Sequence, residues 1–184
     1  MSASRNTLSR EVTAIQIPSG EKVVLPAGSP FYVTQSLGGT HTIEAPGFGG
    51  LFRIAGVDAD ALGLVAAQGS VPEKKGAADG PFEEKLVWDQ LRACYDPEIP
   101  VNIVDLGLVY DLAVSEDSSG GARVVVKMTL TAPGCGMGAA IADDARHRIL
   151  TVPGVSEADV QLVWDPPWSA EMMSPAGKKQ LGIA

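Results

Sequence analysis

The sequence is poor in cysteine, in aromatic side chains and in positive charge. Two cysteines occur in 184 residues, and aromatic residues make up 5% of the chain. Lys and Arg number 14 against 22 Asp and Glu, which gives a formal net charge of -8. Nucleic-acid and anionic-membrane binding depend on clustered cations that neutralise phosphates, so this balance argues against both classes of partner.

Long apolar runs are missing as well. No uninterrupted stretch approaches the roughly 20 residues that a membrane-spanning helix needs, and the first ten residues lack the hydrophobic region of a secretion signal. We therefore expect no membrane association and a cytoplasmic location. Apolar residues still make up 45% of the chain, which is enough for at least one hydrophobic core.

The two cysteines, Cys94 and Cys135, limit the metal chemistry of a single chain. A chain without a secretion signal is expected to keep both as thiols rather than as a disulfide. Most protein iron-sulfur clusters are held by four thiolates. A cluster bound to this chain would therefore need ligands from oxygen or nitrogen side chains, from a second subunit or from a small thiol.

Short apolar runs separated by glycine and proline dominate the first third of the sequence. Four such runs occur, at residues 12–17, 23–25, 31–37 and 51–54. This spacing is typical of β-hairpins and leaves no room for long helices. We predict a flexible N-terminus over residues 1–10, a small all-β domain over residues 11–65 and a linker of small and polar residues over 66–80.

Two amphipathic helices are predicted beyond Pro81. The first carries its apolar face at Val87, Leu91 and Cys94. The second carries its apolar face at Ile141, Ala145 and Ile149. The first helix should end at Asp96, because the residue before a proline is disfavoured in the helical conformation.

Strand patterns fill the intervals between and after these helices. Residues 108–114 and 123–131 alternate in polarity around a polar, glycine-containing turn, which predicts a hairpin, and residues 160–164 supply a third strand. The predicted order over residues 81–173 is α-β-β-α-β, followed by a loosely structured tail over 174–184. Together with the all-β first domain, this order predicts the α+β fold class.

Cys135 lies in a glycine-rich run between a predicted strand and a predicted helix. Flanking glycines let the backbone approach a ligand closely. Unpaired amides at a helix start stabilise a thiolate, which is the form of cysteine that binds metals. From these residues alone, a metal-binding thiolate and a small buried side chain both stay open. Cys94 continues an apolar helix face, which favours a core thiol, and a role as a second ligand also stays open.

Residues 96–108 concentrate three carboxylates and two prolines between a helix and a strand. Such carboxylates either ligate iron or accept hydrogen bonds from loop amides, and both roles stay open for Asp96 and Asp105. The two histidines, His41 and His147, have no partner at metal-ligand spacing. We predict that both lie on the surface.

Three segments, read together, resemble the metal-sulfur cluster biosynthesis family. They are the Asp-Pro-Glu segment at 96–110, the Thr-Ala-Pro-Gly-Cys segment at 128–138 and Trp-Asp-Pro-Pro-Trp at 164–168, and they occur in the family's order. The Gly-Cys-Gly form and an N-terminal extension containing Thr-Gln-Ser-Leu-Gly-Gly are similar to the SufT branch. Many relatives carry proline where this chain has Gly136. The resemblance implies a PaaD-like domain over residues 81–173.

This resemblance also implies a function within the SUF system. It implies an accessory factor of iron-sulfur protein maturation, not an enzyme, that carries or delivers a cluster or iron. It makes Cys135 the metal ligand of a transient iron-sulfur cluster or iron, with Thr131, Asp96 and Glu98 around the same pocket. The expected partners are iron-sulfur scaffold proteins, client apoproteins and a second copy of the chain in a homodimer.

Two other functions compete with this one. A metal-free adaptor would recruit client apoproteins or scaffold proteins, with Cys135 only shaping its loop. A subunit of an oxygenase assembly, like that of the phenylacetate-degradation protein PaaD, is the third candidate. No His or Asn at suitable spacing supports a thiol enzyme.

Overall fold

The computed structural model describes residues 6–64, 81–96, 98–118, 120–134 and 136–183. Contacts divide the chain into two compact units, residues 1–71 and 72–184. The predicted linker over residues 66–80 lies outside the described residues, so the domain boundaries stay predictions. In the described residues, the first unit consists of strands and a short 3₁₀ helix, and the second mixes helices with strands. This confirms the α+β class.

An antiparallel six-stranded sheet forms the first unit. Its strands are β1 (Asn6–Thr7), β2 (Val12–Ile17), β3 (Lys22–Leu25), β4 (Pro30–Leu37), β5 (Thr40–Glu44) and β6 (Leu51–Ile54). They are ordered β1-β4-β5-β6-β2-β3 across the sheet. The four predicted strands are confirmed. The pattern of the sequence does not predict β5, because this strand is mostly polar and presents His41 where an apolar residue is expected.

Inward-facing side chains of these strands form one apolar core. Its least exposed members include Ala14, Leu25, Phe31, Ile43, Phe52 and Ile54. Each strand of a sheet with one buried face places alternate residues inside, and the apolar alternation in the sequence follows this rule. The core of the first unit is thus readable from local spacing.

Residues 6–11, which directly precede β2, are held in the first unit, whereas the sequence predicts a flexible N-terminus over residues 1–10. Leu8 is 2% exposed and belongs to the core. Arg10 Nη2 lies 2.6 Å from Asp60 Oδ1 in a 3₁₀ helix over Gly56–Leu62. Ser9 and Arg10 are therefore anchored through contacts with Asp60, about 50 positions away, which short-range periodicity does not reveal.

His41 is a buried polar residue of β5. It is 4% exposed, so its predicted surface position is wrong. Its Nδ1 lies 2.8 Å from Ser36 Oγ, while Nε2 is buried without a hydrogen-bond partner among the described residues. Burial lowers the pKa of His41, because the charged ring would lose its hydration.

We expect the first unit to lose stability as the pH falls below about 6.5, where an unfolded histidine takes up its proton. The folded unit takes up this proton only at lower pH, so the unfolded state binds more protons and the free energy of unfolding falls by at most ~1.4 kcal/mol per pH unit. Amide hydrogen exchange in β5, corrected for the intrinsic pH dependence, measures the slope. His41→Gln does not titrate and should flatten it; equal slopes would contradict the prediction.

The second unit combines helices with a three-stranded sheet. Its elements are α1 (Glu84–Arg92), β7 (Val109–Glu116), β8 (Ala122–Met128), α2 (Gly138–Ile149), β9 (Val155–Leu162) and α3 (Pro175–Leu181). In the order β7-β8-β9, β7 is antiparallel and β9 parallel to β8. The predicted order α-β-β-α-β is confirmed. Helix α3 lies where the sequence predicts a loose tail over 174–184, and a 3₁₀ turn at Ala170–Met172 precedes it.

Several element boundaries differ from the prediction; the first helix, for example, ends at Arg92 and not at Asp96. The first helix begins at Glu84 instead of Pro81, since Glu83 is still extended at φ -129° and ψ 117°. Strand β9 begins five positions earlier than predicted, because Val155 and the polar residues after it pair with β8. Across the described ranges, every helix is too short or too polar to span a bilayer.

The predicted apolar positions of the second unit are buried. They are Val87, Leu91 and Cys94 near α1, Val124, Val126 and Met128 on β8, and Ile141, Ala145 and Ile149 on α2. Helix α2 packs against both α1 and β9. The Cys94 thiol is fully buried and its Sγ donates to the Gln90 carbonyl at 3.7 Å, which confirms its prediction as a core thiol.

Candidate functional site

Three loops meet at one end of the β7-β8-β9 sheet. Because β7 and β8 are antiparallel, the start of β7 lies beside the end of β8, and Val109 pairs with Met128. Because β8 and β9 are parallel, their ends lie together, and Met128 pairs with Leu162. The segments that precede β7 and follow β8 and β9 are the three motif segments. We call this end, where all three lie, the site end of the sheet.

The acidic loop, which consists of Asp96 and residues 98–108, leads into β7. The Asp96 side chain is nearly buried, and its Oδ1 accepts hydrogen bonds from the amides of Glu98 at 2.8 Å and Ile99 at 3.1 Å. This is the turn-building role that the sequence left open for Asp96. The side chain of Glu98 is exposed. Of the two predicted site carboxylates, Asp96 shapes the loop and Glu98 remains accessible.

The carboxylate of Asp105 is a hydrogen-bond acceptor that stabilises the acidic loop. Its Oδ1 accepts a hydrogen bond from Ser174 Oγ at 2.6 Å, and its Oδ2 accepts one from Asn102 Nδ2 at 2.7 Å. These two bonds, in that order, and the charge of Arg92 hold the pKa of Asp105 below its usual range. Asp105 is thus a stable hydrogen-bond acceptor, the second of the two roles left open.

A C-terminal strap, residues 164–181, lies against the acidic loop. Trp168 Nε1 donates to the Leu106 carbonyl at 2.8 Å, and the Tyr110 hydroxyl donates to the Pro166 carbonyl at 2.9 Å. The Trp-Asp-Pro-Pro-Trp motif therefore anchors the strap through its second tryptophan. Its first, Trp164, is 45% exposed at the site end.

Sequence reasoning missed the contribution of Ser174 to this arrangement. Ser174 caps α3, with its Oγ accepting from the Gly177 amide at 3.0 Å, and Pro175 occupies the first turn. A serine followed by proline is a recognisable helix start. The start of α3 could therefore be predicted from the sequence. The hydrogen bond from Ser174 to Asp105 could not, because 69 positions separate the two residues.

The cysteine loop, residues 129–137, leads from β8 to α2. Cys135, the predicted metal ligand, lies outside the described residues. Its described neighbours Gly134 and Gly136 are exposed, and Thr131 is half-buried. Gly134 has φ +80°, a conformation that glycine adopts without strain. The cysteine loop is therefore exposed at Gly134 and Gly136.

The start of α2 closes this loop. Met137 is its N-cap residue, and among the described residues no side chain caps the helix. The first amides of a helix lack intrahelical acceptors and carry partial positive charge, so they stabilise a nearby anion. Gly138 permits close packing on the strand exit, since a Cβ there would lie 2.4 Å from Leu130 Cδ1. The helix start and the end of β8 thus enclose the cysteine loop.

The remaining predicted site residues do not form a metal cage by themselves. Within the described ranges, no three His, Cys, Asp or Glu side chains are grouped so that they could hold a metal ion. Asp96 is engaged by loop amides, whereas Glu98 is exposed and Thr131 half-buried. The fold brings their loops to one end of the sheet.

Comparison with known proteins identifies the second unit. Residues 84–161 match the profile described as iron-sulfur cluster assembly protein. A Fe-S protein maturation auxiliary factor of Porphyromonas gingivalis is 43% identical over 101 residues, which cover 55% of this chain and 91% of that protein.

Two further relatives give the same result. The Fe-S protein maturation auxiliary factor YitW of Bacillus subtilis is 40% identical over 55% of this chain and 99% of its own length. The auxiliary factor SufT of Staphylococcus aureus is 39% identical over 48% of this chain and 97% of its own length. About half of this chain thus covers each relative almost completely. The chain belongs to the SufT-type family of iron-sulfur cluster assembly proteins, as the three motifs predict.

Proposed function

We propose that this protein is an accessory factor of iron-sulfur protein maturation that carries or delivers a cluster or iron through Cys135. The convergence of the cysteine loop, the acidic loop and the strap at the site end supports this proposal. Relatives that are named maturation factors share this half of the chain. The role is one of binding and transfer, without enzymatic turnover of a metabolite.

The cysteine loop supplies suitable chemistry for this role. A thiolate is the ligand that iron and sulfide clusters require. Cys135 precedes α2 by three positions in the sequence, and the unpaired amides at a helix start are suited to stabilise a thiolate. Iron or an iron-sulfur cluster is the cargo in this proposal. It is held for a time and passed to another protein.

The number of thiolates limits how the cargo is held. Cys94 is buried in the core, so Cys135 is the single thiolate that the chain offers at the site end. Further ligands then come from a second copy of the chain, a client or scaffold protein, or a small thiol. Attachment through few ligands suits release, because fewer bonds must be replaced during transfer. Of the predicted site residues, Glu98 is exposed and Thr131 is half-buried, so their side-chain oxygens are candidates for further ligands.

Anaerobic reconstitution with ferrous iron and sulfide tests the proposal. Wild type is expected to retain iron and visible absorbance after desalting, while Cys135→Ser loses most of both because its hydroxyl is a poor ligand for iron. Cys94→Ser is the matched control and should retain both, since its thiol lies in the core. If Cys135→Ser retains as much iron as wild type, the ligand role is wrong.

A metal-free adaptor is the second candidate, favoured by the exposed Trp164 at the site end. A large apolar side chain at a surface is suited to protein contact. Pull-down of candidate client apoproteins with wild type, Cys135→Ser and Trp164→Ala separates the two functions. An adaptor loses its clients with Trp164→Ala and keeps them with Cys135→Ser.

A further inference from the structure

The acidic loop is joined to the C-terminal strap at both of its ends. Near its start, Gln180 Nε2 donates to the Pro100 carbonyl. Near its end, Trp168 donates to the Leu106 carbonyl. Buried loop residues such as Ile103 lie between these contacts. The strap thus contacts the acidic loop through hydrogen bonds at Pro100 and Leu106.

Asp105 is the point at which the strap meets the internal structure of the loop. Its main-chain carbonyl accepts from the Ser174 amide at 2.9 Å, and its carboxylate accepts from the Ser174 hydroxyl. The second carboxylate oxygen accepts from Asn102. Gly177 is required beside it, because a Cβ there would lie 2.6 Å from the Asp105 carbonyl oxygen. Asp105 therefore accepts hydrogen bonds both from the strap, through Ser174, and from the acidic loop, through Asn102.

Asn102 continues this connection toward the start of the loop. Its Oδ1 accepts from the amides of Val104 and Asp105, at 3.1 and 2.9 Å. Its main chain forms a β-bridge with Tyr95, which directly precedes Asp96. The Asp96 carboxylate then holds the Glu98 amide. A continuous path of hydrogen bonds and backbone pairing thus leads from the strap to Glu98.

We propose that Asp105 is a positioning residue that couples the C-terminal strap, through Ser174, to the part of the acidic loop that carries Asp96 and Glu98. In this arrangement the strap preorganises the loop at the site end, and Asp105 itself contacts no cargo. Side chains that hold a site residue in place affect binding through geometry. The consequence for metal binding rests on the proposed function, whereas the effect on the loop does not.

Residue-resolved amide hydrogen exchange of the full chain tests the effect on the loop. Ser174→Ala removes the hydroxyl that donates to Asp105, and exchange at Glu98 and Ile99 is expected to rise about tenfold, the effect of losing one charge-assisted hydrogen bond. Exchange in β8 should stay unchanged if the effect is confined to the acidic loop. A general loss of stability would instead raise exchange throughout the second unit, including β8. Ser174→Thr keeps the hydroxyl and should restore slow exchange.

Ser156→Ala is the matched control for this experiment. Its hydroxyl donates to the Ala122 carbonyl at 3.1 Å, in the same unit but outside the path to Glu98. It should leave exchange at Glu98 and Ile99 at the wild-type rate. If Ser174→Ala resembles Ser156→Ala at these two amides, or if exchange rises equally in β8, the positioning role is refuted.

Iron retention under competition by a chelator tests the consequence for the site. After reconstitution, Ser174→Ala is expected to retain iron about tenfold less tightly than wild type, and Ser174→Thr close to wild type. Faster exchange at Glu98 with unchanged iron retention refutes the link to metal binding. If wild type itself takes up no iron, the proposed function fails, and the exchange result alone decides the positioning role.

Discussion

Replacing Gly107 with alanine is expected to destabilise the second unit by about 3 to 5 kcal/mol. Gly107 has φ +72°, a conformation in which alanine is strained. A Cβ would also lie 2.2 Å from the carbonyl oxygen of Met172, which is a backbone atom of the strap. No side-chain rotation relieves this overlap. The strap and the acidic loop must therefore separate.

Gly120→Ala is the matched control, because Gly120 has φ +82° and a Cβ added there would meet no atom of the described residues within 4 Å. It carries the backbone strain alone and should cost about 1 kcal/mol. Urea unfolding followed by tryptophan fluorescence measures both variants. Trp88, Trp164 and Trp168 are the tryptophans of the chain and all belong to the second unit. Equal unfolding midpoints for the two variants would show that the strap does not approach Gly107 closely.

Replacing Asp144 with alanine is expected to destabilise the second unit by about 3 kcal/mol. Arg148 is 2% exposed, and its Nε donates to Asp144 Oδ1 at 3.1 Å within α2. Loss of this carboxylate removes one partner of a buried guanidinium. A buried charge that loses a partner carries a large desolvation cost. The same fluorescence-detected unfolding measures the effect.

Asp143→Ala is the control for Asp144→Ala, since it makes the same substitution at the neighbouring helix position. Asp143 pairs with His147, and both side chains are exposed. Exposed ion pairs contribute little, so this variant should change the free energy of unfolding by less than about 1 kcal/mol. A comparable loss in the two variants would mean that helix propensity, and not the buried pair, determines the effect.

Local spacing predicted the elements whose buried faces are apolar. The face of α2 at Ile141, Ala145 and Ile149 and the inward positions of β8 are buried as predicted, because periodicity of 3.6 or 2 residues reports directly which side is inside. The same reasoning failed at His41. Its strand places a polar ring in a buried position, and only the paired strands reveal that this position faces inward.

The family resemblance and the proposal for Cys135 also came from the sequence, since they rest on ordered motifs. The roles of the acidic residues did not. Carboxylates in a loop are compatible with ligand binding and with turn formation, and the choice depends on which donors lie nearby. For Asp96 the donors are the next few amides. For Asp105 a decisive donor is Ser174, far along the chain.

By itself, the sequence determined the α+β class, the α-β-β-α-β order and the family. Only the tertiary structure decided that β9 runs parallel to β8, which carries the strap to the site end and against the acidic loop. The physical reason is the range of the interactions. Side-chain periodicity is a local property, whereas the strap contacts join residues 62 and 69 positions apart and form only when the sheet has assembled.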